Sequence, residues 1–270
     1  MILVNGEPGE KIGAADRGLA YGDGVFRTLL IRGSRPEAWP HHYRKLQHDC
    51  AALALACPPE KLLRDELARA VPPAGDCAAK ILVTRGTGER GYAPPPAAVQ
   101  TRVVMTAPLP QHPTDYFSRG VAVRVCALRL ALQPALAGIK HLNRLENVLA
   151  RAEWTDPAIA EGILLDNAGR VVSGTMSNLM IFEGEALATP ALSRCGVAGV
   201  TRERVLGAAA RRGMVCSETD IDIERLMRAD AVLLMNSLIG VWQVATLGER
   251  QWAPQAIAQH VRKWLDEADS

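Results

Sequence analysis

LAGIKHLNRLENVLARAEW, residues 136–154, is the stretch on which the fold of this 270-residue chain turns. It opens on a short loop around Gly138 and sets Lys140 between Ile139 and His141, at what reads as the start of a helix. Leu142, Leu145, Val148 and Leu149 recur at the spacing of one helix face. A helix start is the positive end of the backbone dipole and a poor place for a cation, so Lys140 needs a reason. An amine among apolar neighbours gives up its proton more readily than an exposed one, which suits nucleophilic or base chemistry. A surface lysine at a helix start is the plain alternative. The other lysines are only Lys11, Lys45, Lys61, Lys80 and Lys263.

Before this stretch, strand and helix signals alternate. MILVNG reads as a strand, DRGLAYGDG as a glycine-rich loop, and Gly22 to Arg32 as a second strand. Leu46, Cys50, Leu53 and Ala54 mark a helix from His41 to Ala56, and Pro58-Pro59 ends it and opens another through Leu62, Leu63, Leu67 and Val71. AAKILVTRG and RVVMTAP read as strands around the loop GERGYAPPP. The three prolines of PLPQHPT, residues 108–114, suggest an extended connection. The expected organisation is a small α/β domain over 1–108, a linker over 109–115 and a larger domain over 116–270. That larger domain begins with a strand from Gly120 to Leu130. After the Lys140 segment come GILLD, VVSG, NLMIF and EALATP as strands, then a helix from Thr201 to Arg212. ADAVLLMNS and GVWQVATLG are further strands, and Pro254 to Ala268 is a terminal helix.

Composition narrows the function classes. With 48% hydrophobic and 22% charged residues the chain is an ordinary globular one. No apolar run approaches a membrane span, and MILVNGEPGE lacks the basic and apolar regions of a signal peptide, so a cytoplasmic protein is expected. The 31 basic and 29 acidic residues are interleaved and aromatics are few, which argues against a nucleic-acid partner. Cys50, Cys57, Cys77, Cys126, Cys195 and Cys216 follow no metal-ligand spacing; reduced thiols and no metal are expected.

Three more places could bind an anion. Gly199, Val200 and Thr201 stand at a helix mouth, where free backbone N–H groups and a hydroxyl can grip a phosphate, although an ordinary threonine cap has the same look. Asn236-Ser237 closes a strand, and Lys45 is a helix-borne cation.

Taken together these pieces resemble a known family. IKHLNRLENVL at 139–149, RGTGERGY at 85–92, DRGLAYGDGVFRT at 16–28, SGTMSNLMIF at 173–182, GVTRERVL at 199–206 and ADAVLLMNSLIGVWQV at 229–244 stand in the order found in fold-type IV pyridoxal-phosphate enzymes. That is the class IV aminotransferase family, which includes the branched-chain and D-amino-acid aminotransferases. LAGIKHLNRLE and RGTGERGY look most like its aminodeoxychorismate lyase branch. The resemblance implies an α+β, two-domain fold, with a small N-terminal α/β domain and a larger, β-barrel-like C-terminal domain with helices. It implies pyridoxal 5'-phosphate as cofactor and a homodimer in which a small-domain loop completes the partner's site. The implied reaction is release of 4-aminobenzoate and pyruvate from 4-amino-4-deoxychorismate; the alternative is a D-amino-acid or branched-chain aminotransferase.

By the same resemblance Lys140 holds the cofactor as a Schiff base and shuttles the proton. Lys45 replaces a phosphate-binding arginine, with Arg44 as a second candidate; an ammonium keeps the charge and loses the two-pronged grip. Val200 and Thr201 match further phosphate contacts, Ser237 matches a further phosphate or substrate contact, and Phe26, Thr28, Arg90 and Tyr92 line the substrate side. Ser173 departs from the pattern, standing five residues before Asn178 where the family usually has a glutamate paired with the pyridine nitrogen. A hydroxyl can hydrogen-bond to that nitrogen and cannot form a charge pair with it.

Overall fold

The structure is a computed structural model and describes residues 1–73 and 75–267. The chain forms two compact units, Met1–Pro110 with Ile139–Asn143, and Gln111–Gly138 with the remainder from Arg144.

In the first unit the elements run β1 (Ile2–Val4), β2 (Glu7–Pro8), α1 (Arg17–Tyr21), β3 (Gly24–Arg32), β4 (Arg35–Pro36), α2 (Trp39–Ala52), α3 (Glu60–Ala70), β5 (Cys77–Thr84) and β6 (Thr101–Ala107). The strands make one antiparallel sheet in the order β2-β1-β6-β5-β3-β4. Side chains of β3 and β5 alternate between its faces. Val25, Leu29, Ile31, Ala79, Ile81 and Val83 enter a core with Leu46 and Cys50 of α2 and Leu63 and Leu67 of α3. Phe26, Thr28, Lys80 and Leu82 keep the opposite parity and are only half-buried. DRGLAYGDG is not all loop. The Asp16 carboxylate accepts from the Gly18 backbone and caps α1, which Gly22 ends in the left-handed conformation at φ 66°.

The second unit contains β7 (Val121–Leu130), α4 (Leu145–Arg151), β8 (Ile159–Asp166), β9 (Val171–Gly174), β10 (Asn178–Glu183), β11 (Ala186–Pro190), α5 (Val200–Arg211), β12 (Val215–Thr219), α6 (Ile223–Arg228), β13 (Ala231–Asn236), β14 (Gly240–Leu247), β15 (Arg250–Gln251) and α7 (Ala256–Glu267). Ala268, the expected end of the last helix, lies outside the described residues. The mixed sheet runs β12-β11-β10-β13-β14-β7-β8-β9, with β15 on β14. A turn joins the last strand, β9, back to β10, where the Gly174 N–H donates to the Ser177 carbonyl at 2.8 Å, so the sheet curls on itself. The apolar runs of β10 and β13 reflect burial on both faces. Leu179, Ile181, Val232 and Leu234 join one core with Trp242, while Met180, Leu233 and Met235 join another with Val205 of α5 and Val261 of α7.

The helix expected around Lys140 is shorter than its leucine spacing suggests. It begins at Leu145, and Lys140 lies in extended chain beside β3. Leu145, Val148 and Leu149 are exposed, at 74%, 60% and 60%, and α4 turns Ala150 inward instead. Likewise α5 begins at Val200 with Gly199 as its cap residue, so Thr201 sits inside the first turn. No helix among the described residues is long and apolar enough to cross a membrane.

Candidate active site

Within the first unit, residues 139–143 lengthen the β3 edge. The Phe26 N–H donates to the Lys140 carbonyl at 2.9 Å and the Leu142 N–H to the Gly24 carbonyl at 3.0 Å. This antiparallel pairing makes Lys140 the cross-strand neighbour of Phe26, on the sheet face away from the helices. The Lys140 Nζ stands 4.5 Å from the Phe26 ring centroid, and the Lys80 Nζ stands 4.8 Å from the same centroid. Lys80 pairs in register with Thr28, so Lys140, Phe26, Thr28 and Lys80 share one face. Burial pushes the Lys80 ammonium below its ordinary pKa.

Beneath Lys140 lies a buried ion cluster. The Lys140 N–H donates to Asp49 Oδ2 at 3.0 Å, the Lys45 ammonium meets Asp49 Oδ1 at 2.9 Å, and Arg27 Nη2 pairs with Oδ2. Asp49 is fully buried and Arg27 is 2% exposed. Burial raises the Asp49 carboxyl pKa, but Arg27, Lys45 and the Lys140 N–H together hold it below the usual carboxylate value. Two cations on one carboxylate leave a formal positive charge. Of the two candidate phosphate cations, Lys45 joins this cluster, while Arg44 is an exposed residue bonded to His41 at 3.0 Å.

Arg90 and Tyr92 are exposed, the latter at 87%. Their loop is shaped by Arg17, whose guanidinium donates to the carbonyls of Gly91 at 2.8 Å and Tyr92 at 3.0 Å. Asp23 in turn binds both Arg17 and Arg85. The Tyr92 ring rests on Tyr21 with centroids 5.4 Å apart.

Within the second unit a different carboxylate organises the turn after β9. Glu161 is 1% exposed and accepts from the Gly162, Thr175 and Met176 backbone N–H groups and from the Thr175 and Ser177 hydroxyls. Five donors exhaust its two oxygens, so Glu161 is committed to holding residues 174–177. Ser173 is buried at 7% exposure and its hydroxyl donates to the Gly174 carbonyl at 2.9 Å. Asn178 fixes the approach to α5, donating to the Val197 carbonyl at 2.7 Å and accepting from the Gly199 N–H at 3.0 Å. A Cβ on Gly199 would stand 2.2 Å from Asn178 Oδ1, so a larger residue there must displace the Asn178 amide. Having no side chain, Gly199 leaves the first turn of α5 without a side-chain cap, and Val200 and Thr201 are 3% and 4% exposed. Such a buried, uncapped helix start is suited to a bound anion. Ser237 lies half-buried in the β13–β14 turn, where Asn236 Nδ2 donates to the Met176 carbonyl at 3.1 Å.

Comparison with known proteins now gives these two arrangements a context. Residues 24–247 match the family model described as amino-transferase class IV. The chain belongs to the class IV aminotransferase family. It is 34% identical over 245 residues to an aminodeoxychorismate lyase of Vibrio harveyi, covering 91% of this chain and 90% of that one. The crystal structure of 4-amino-4-deoxychorismate lyase from Pseudomonas aeruginosa is similar at 43% identity and a TM-score of 0.94, with all of both chains covered. A hypothetical aminotransferase from Mycobacterium tuberculosis in its PLP-bound form shares the fold at 21% identity and a TM-score of 0.84, over 100% of this chain and 98% of that one. The α+β fold-type IV architecture expected from the motifs is thus the observed one.

The family uses pyridoxal 5'-phosphate, and the residues here fit such a group. In the second unit the uncapped start of α5 suits a phosphate; in the first, Lys140 is an amine on a half-buried face and the Lys45 cluster carries net positive charge. Asp49, Arg27, Glu161 and Lys80 were not among the residues singled out from sequence. The first three sit at positions whose neighbours in the strand or helix are apolar and buried, and a charge at buried parity is the signal that could have found them.

Proposed function

We propose that this chain is a PLP-dependent lyase converting 4-amino-4-deoxychorismate to 4-aminobenzoate and pyruvate. The observation that carries this reading is the likeness to aminodeoxychorismate lyases along nearly the whole chain, with Lys140 on the Phe26 face. The cofactor, when bound, supplies an aldehyde that engages amines and a pyridine ring that takes up carbanion charge. Lys140 would hold it and would take the proton from the amine-bearing ring carbon. Phe26 covers the Lys140 amine with an apolar face. In the second unit Val200 and Thr201 would bind the phosphate through backbone N–H groups and a hydroxyl, with the Ser237 turn as a further contact. The substrate's atoms divide completely between the two products, so no oxo acid, oxidant or water is consumed.

Lys80 suits the substrate's ring carboxylate. That carboxylate lies para to the amine, and Lys80 and Lys140 stand 4.8 and 4.5 Å from the centroid of the same Phe26 ring. Lys80→Met is expected to raise KM by about 10- to 100-fold, the worth of one charged hydrogen bond, with a smaller change in kcat. Lys80→Arg should recover most of the loss. Steady-state kinetics of all three proteins test this.

Ser173 supports a lyase over an aminotransferase. A transaminase must keep carbanion charge on the cofactor long enough to reprotonate it there, and a hydroxyl supports that charge less well than a carboxylate. Elimination drains the charge into the leaving group and is driven by aromatisation. Ser173→Glu is therefore expected to raise the ratio of transaminase to lyase turnover by about tenfold, the scale of one pKa unit. An unchanged ratio removes this support. The same reading takes exposed Leu145, Val148 and Leu149 of α4 as part of a homodimer surface, with the Arg90–Tyr92 loop serving the partner's site.

The deciding assay supplies protein, pyridoxal phosphate and enzymatically generated aminodeoxychorismate without oxo acid. Equal yields of 4-aminobenzoate and pyruvate are expected. A yellow protein giving neither, yet active on D- or branched-chain amino acids with 2-oxoglutarate or pyruvate, would make it an aminotransferase.

A further inference from the structure

The end of α2 brings two cysteines together. The Leu53 and Leu55 N–H groups both fold back to the Cys50 carbonyl, at 3.1 and 2.8 Å, and Ala54 between them takes the left-handed conformation at φ 50°. The chain thereby reverses and runs back along the helix, and the Tyr43 hydroxyl, two turns before Cys50, donates to the Pro58 carbonyl at 3.2 Å. Cys57 lies inside this return. It packs on the core cluster that contains Cys50, and the two thiols lie near enough to act on one another electrostatically. Cys50 is fully buried, whereas Cys57 is half-buried and open to a small solute. Arg85 holds the return in place through the carbonyls of Leu53 at 2.7 Å and Ala54 at 3.1 Å.

We infer that Cys50 and Cys57 are a modification site, an intramolecular disulfide formed reversibly by hydrogen peroxide or a related hydroperoxide. The half-exposed Cys57 reacts first. Its thiolate sulfur attacks one peroxide oxygen, the O–O bond breaks, and the departing hydroxide takes a proton to become water, leaving a sulfenic acid on Cys57. The Cys50 sulfur then attacks the Cys57 sulfur; the S–S bond forms, the S–O bond breaks, and the hydroxyl leaves with the Cys50 proton as a second water. Two thiols are oxidised to one disulfide and one peroxide is reduced to two waters. The order follows the electrostatics of the pair. Interaction with Cys50 lowers the Cys57 thiol pKa against its burial, and Tyr43 lowers it further, while the same pairing and burial raise Cys50. The bridge closes the 50–57 loop one residue from Asp49, on the helix that also carries Lys45.

The chain offers a direct readout, because no lysine or arginine lies between Lys45 and Lys61 and both cysteines fall in one tryptic peptide, residues 46–61. The full-length protein is treated with hydrogen peroxide, denatured, alkylated with iodoacetamide, digested and weighed. The expected result is that peptide 46–61 changes from doubly alkylated to unalkylated with the loss of two hydrogens. Peptides carrying Cys77, Cys126, Cys195 and Cys216 stay alkylated, and dithiothreitol reverses the change. Cys50→Ser should leave Cys57 as a sulfenic acid that dimedone traps. Continued double alkylation of peptide 46–61, or oxidation of the other four thiols at the same peroxide dose, would overturn the proposal, and neither outcome depends on the variant folding.

Discussion

Lys140→Ala is expected to abolish product formation, by roughly 10⁴-fold or more, while leaving the fold intact. The magnitude combines the loss of a positioned general base with the loss of the amine that engages the cofactor. The fold should survive because the side chain contributes little to either core. Lys140 is half-buried, and the contacts that fix its segment are backbone bonds to Phe26, Gly24 and Asp49 that an alanine retains. Borohydride followed by intact mass measurement separates the roles of this residue. It should fix pyridoxal phosphate to the wild-type chain and not to Lys140→Ala, whereas both proteins should unfold at similar urea concentrations. A variant that still released 4-aminobenzoate at a tenth of the wild-type rate would remove Lys140 from the chemistry.

How far the sequence could be read depended on which interactions decide each position. The short strands of the second unit were legible because burial on both faces demands continuous apolar runs, as in NLMIF and AVLLMN. The Lys140 segment was found by its motif, but its conformation was misread. Leu142, Leu145, Val148 and Leu149 have helical spacing, yet Leu142 is held extended by the Gly24 carbonyl, and the leucines beyond it face outward. A tertiary strand pairing overrode the local pattern there, and exposed apolar residues imitated a core face. Lys45 and Asp49 at four-residue spacing look like a surface helix pair. Only the fold shows that Arg27, from a strand eighteen residues earlier than Lys45, buries against the same carboxylate. Ser173 could be located only by counting from Asn178, and its effect on the reaction rests on the chemistry of the missing carboxylate.

The Asp49 cluster leads to the second large effect, this time on stability. Asp49→Ala is expected to cost about 3–5 kcal/mol, because it strands the buried Arg27 guanidinium without a counter-charge and removes the acceptor of the Lys140 N–H. Asp49→Asn keeps one acceptor oxygen and should cost less, while still leaving Arg27 unneutralised. The pH dependence distinguishes an ionised Asp49 from one that merely fills space. The folded-state pKa of Asp49 is depressed, so the stability it contributes is fully present above the unfolded value near 3.8 and is lost as pH falls through the lower folded value. Wild-type protein and Asp49→Asn should therefore differ most in urea midpoint near neutral pH and converge in acid, below about pH 4. A gap that stayed constant from neutral to acid pH would show that the carboxylate charge does not hold the cluster. The catalytic consequence follows from the same bond. With the Lys140 N–H unanchored, the segment that places the amine on Phe26 loses one of its three backbone ties, so Asp49→Asn should lower kcat more than it raises KM.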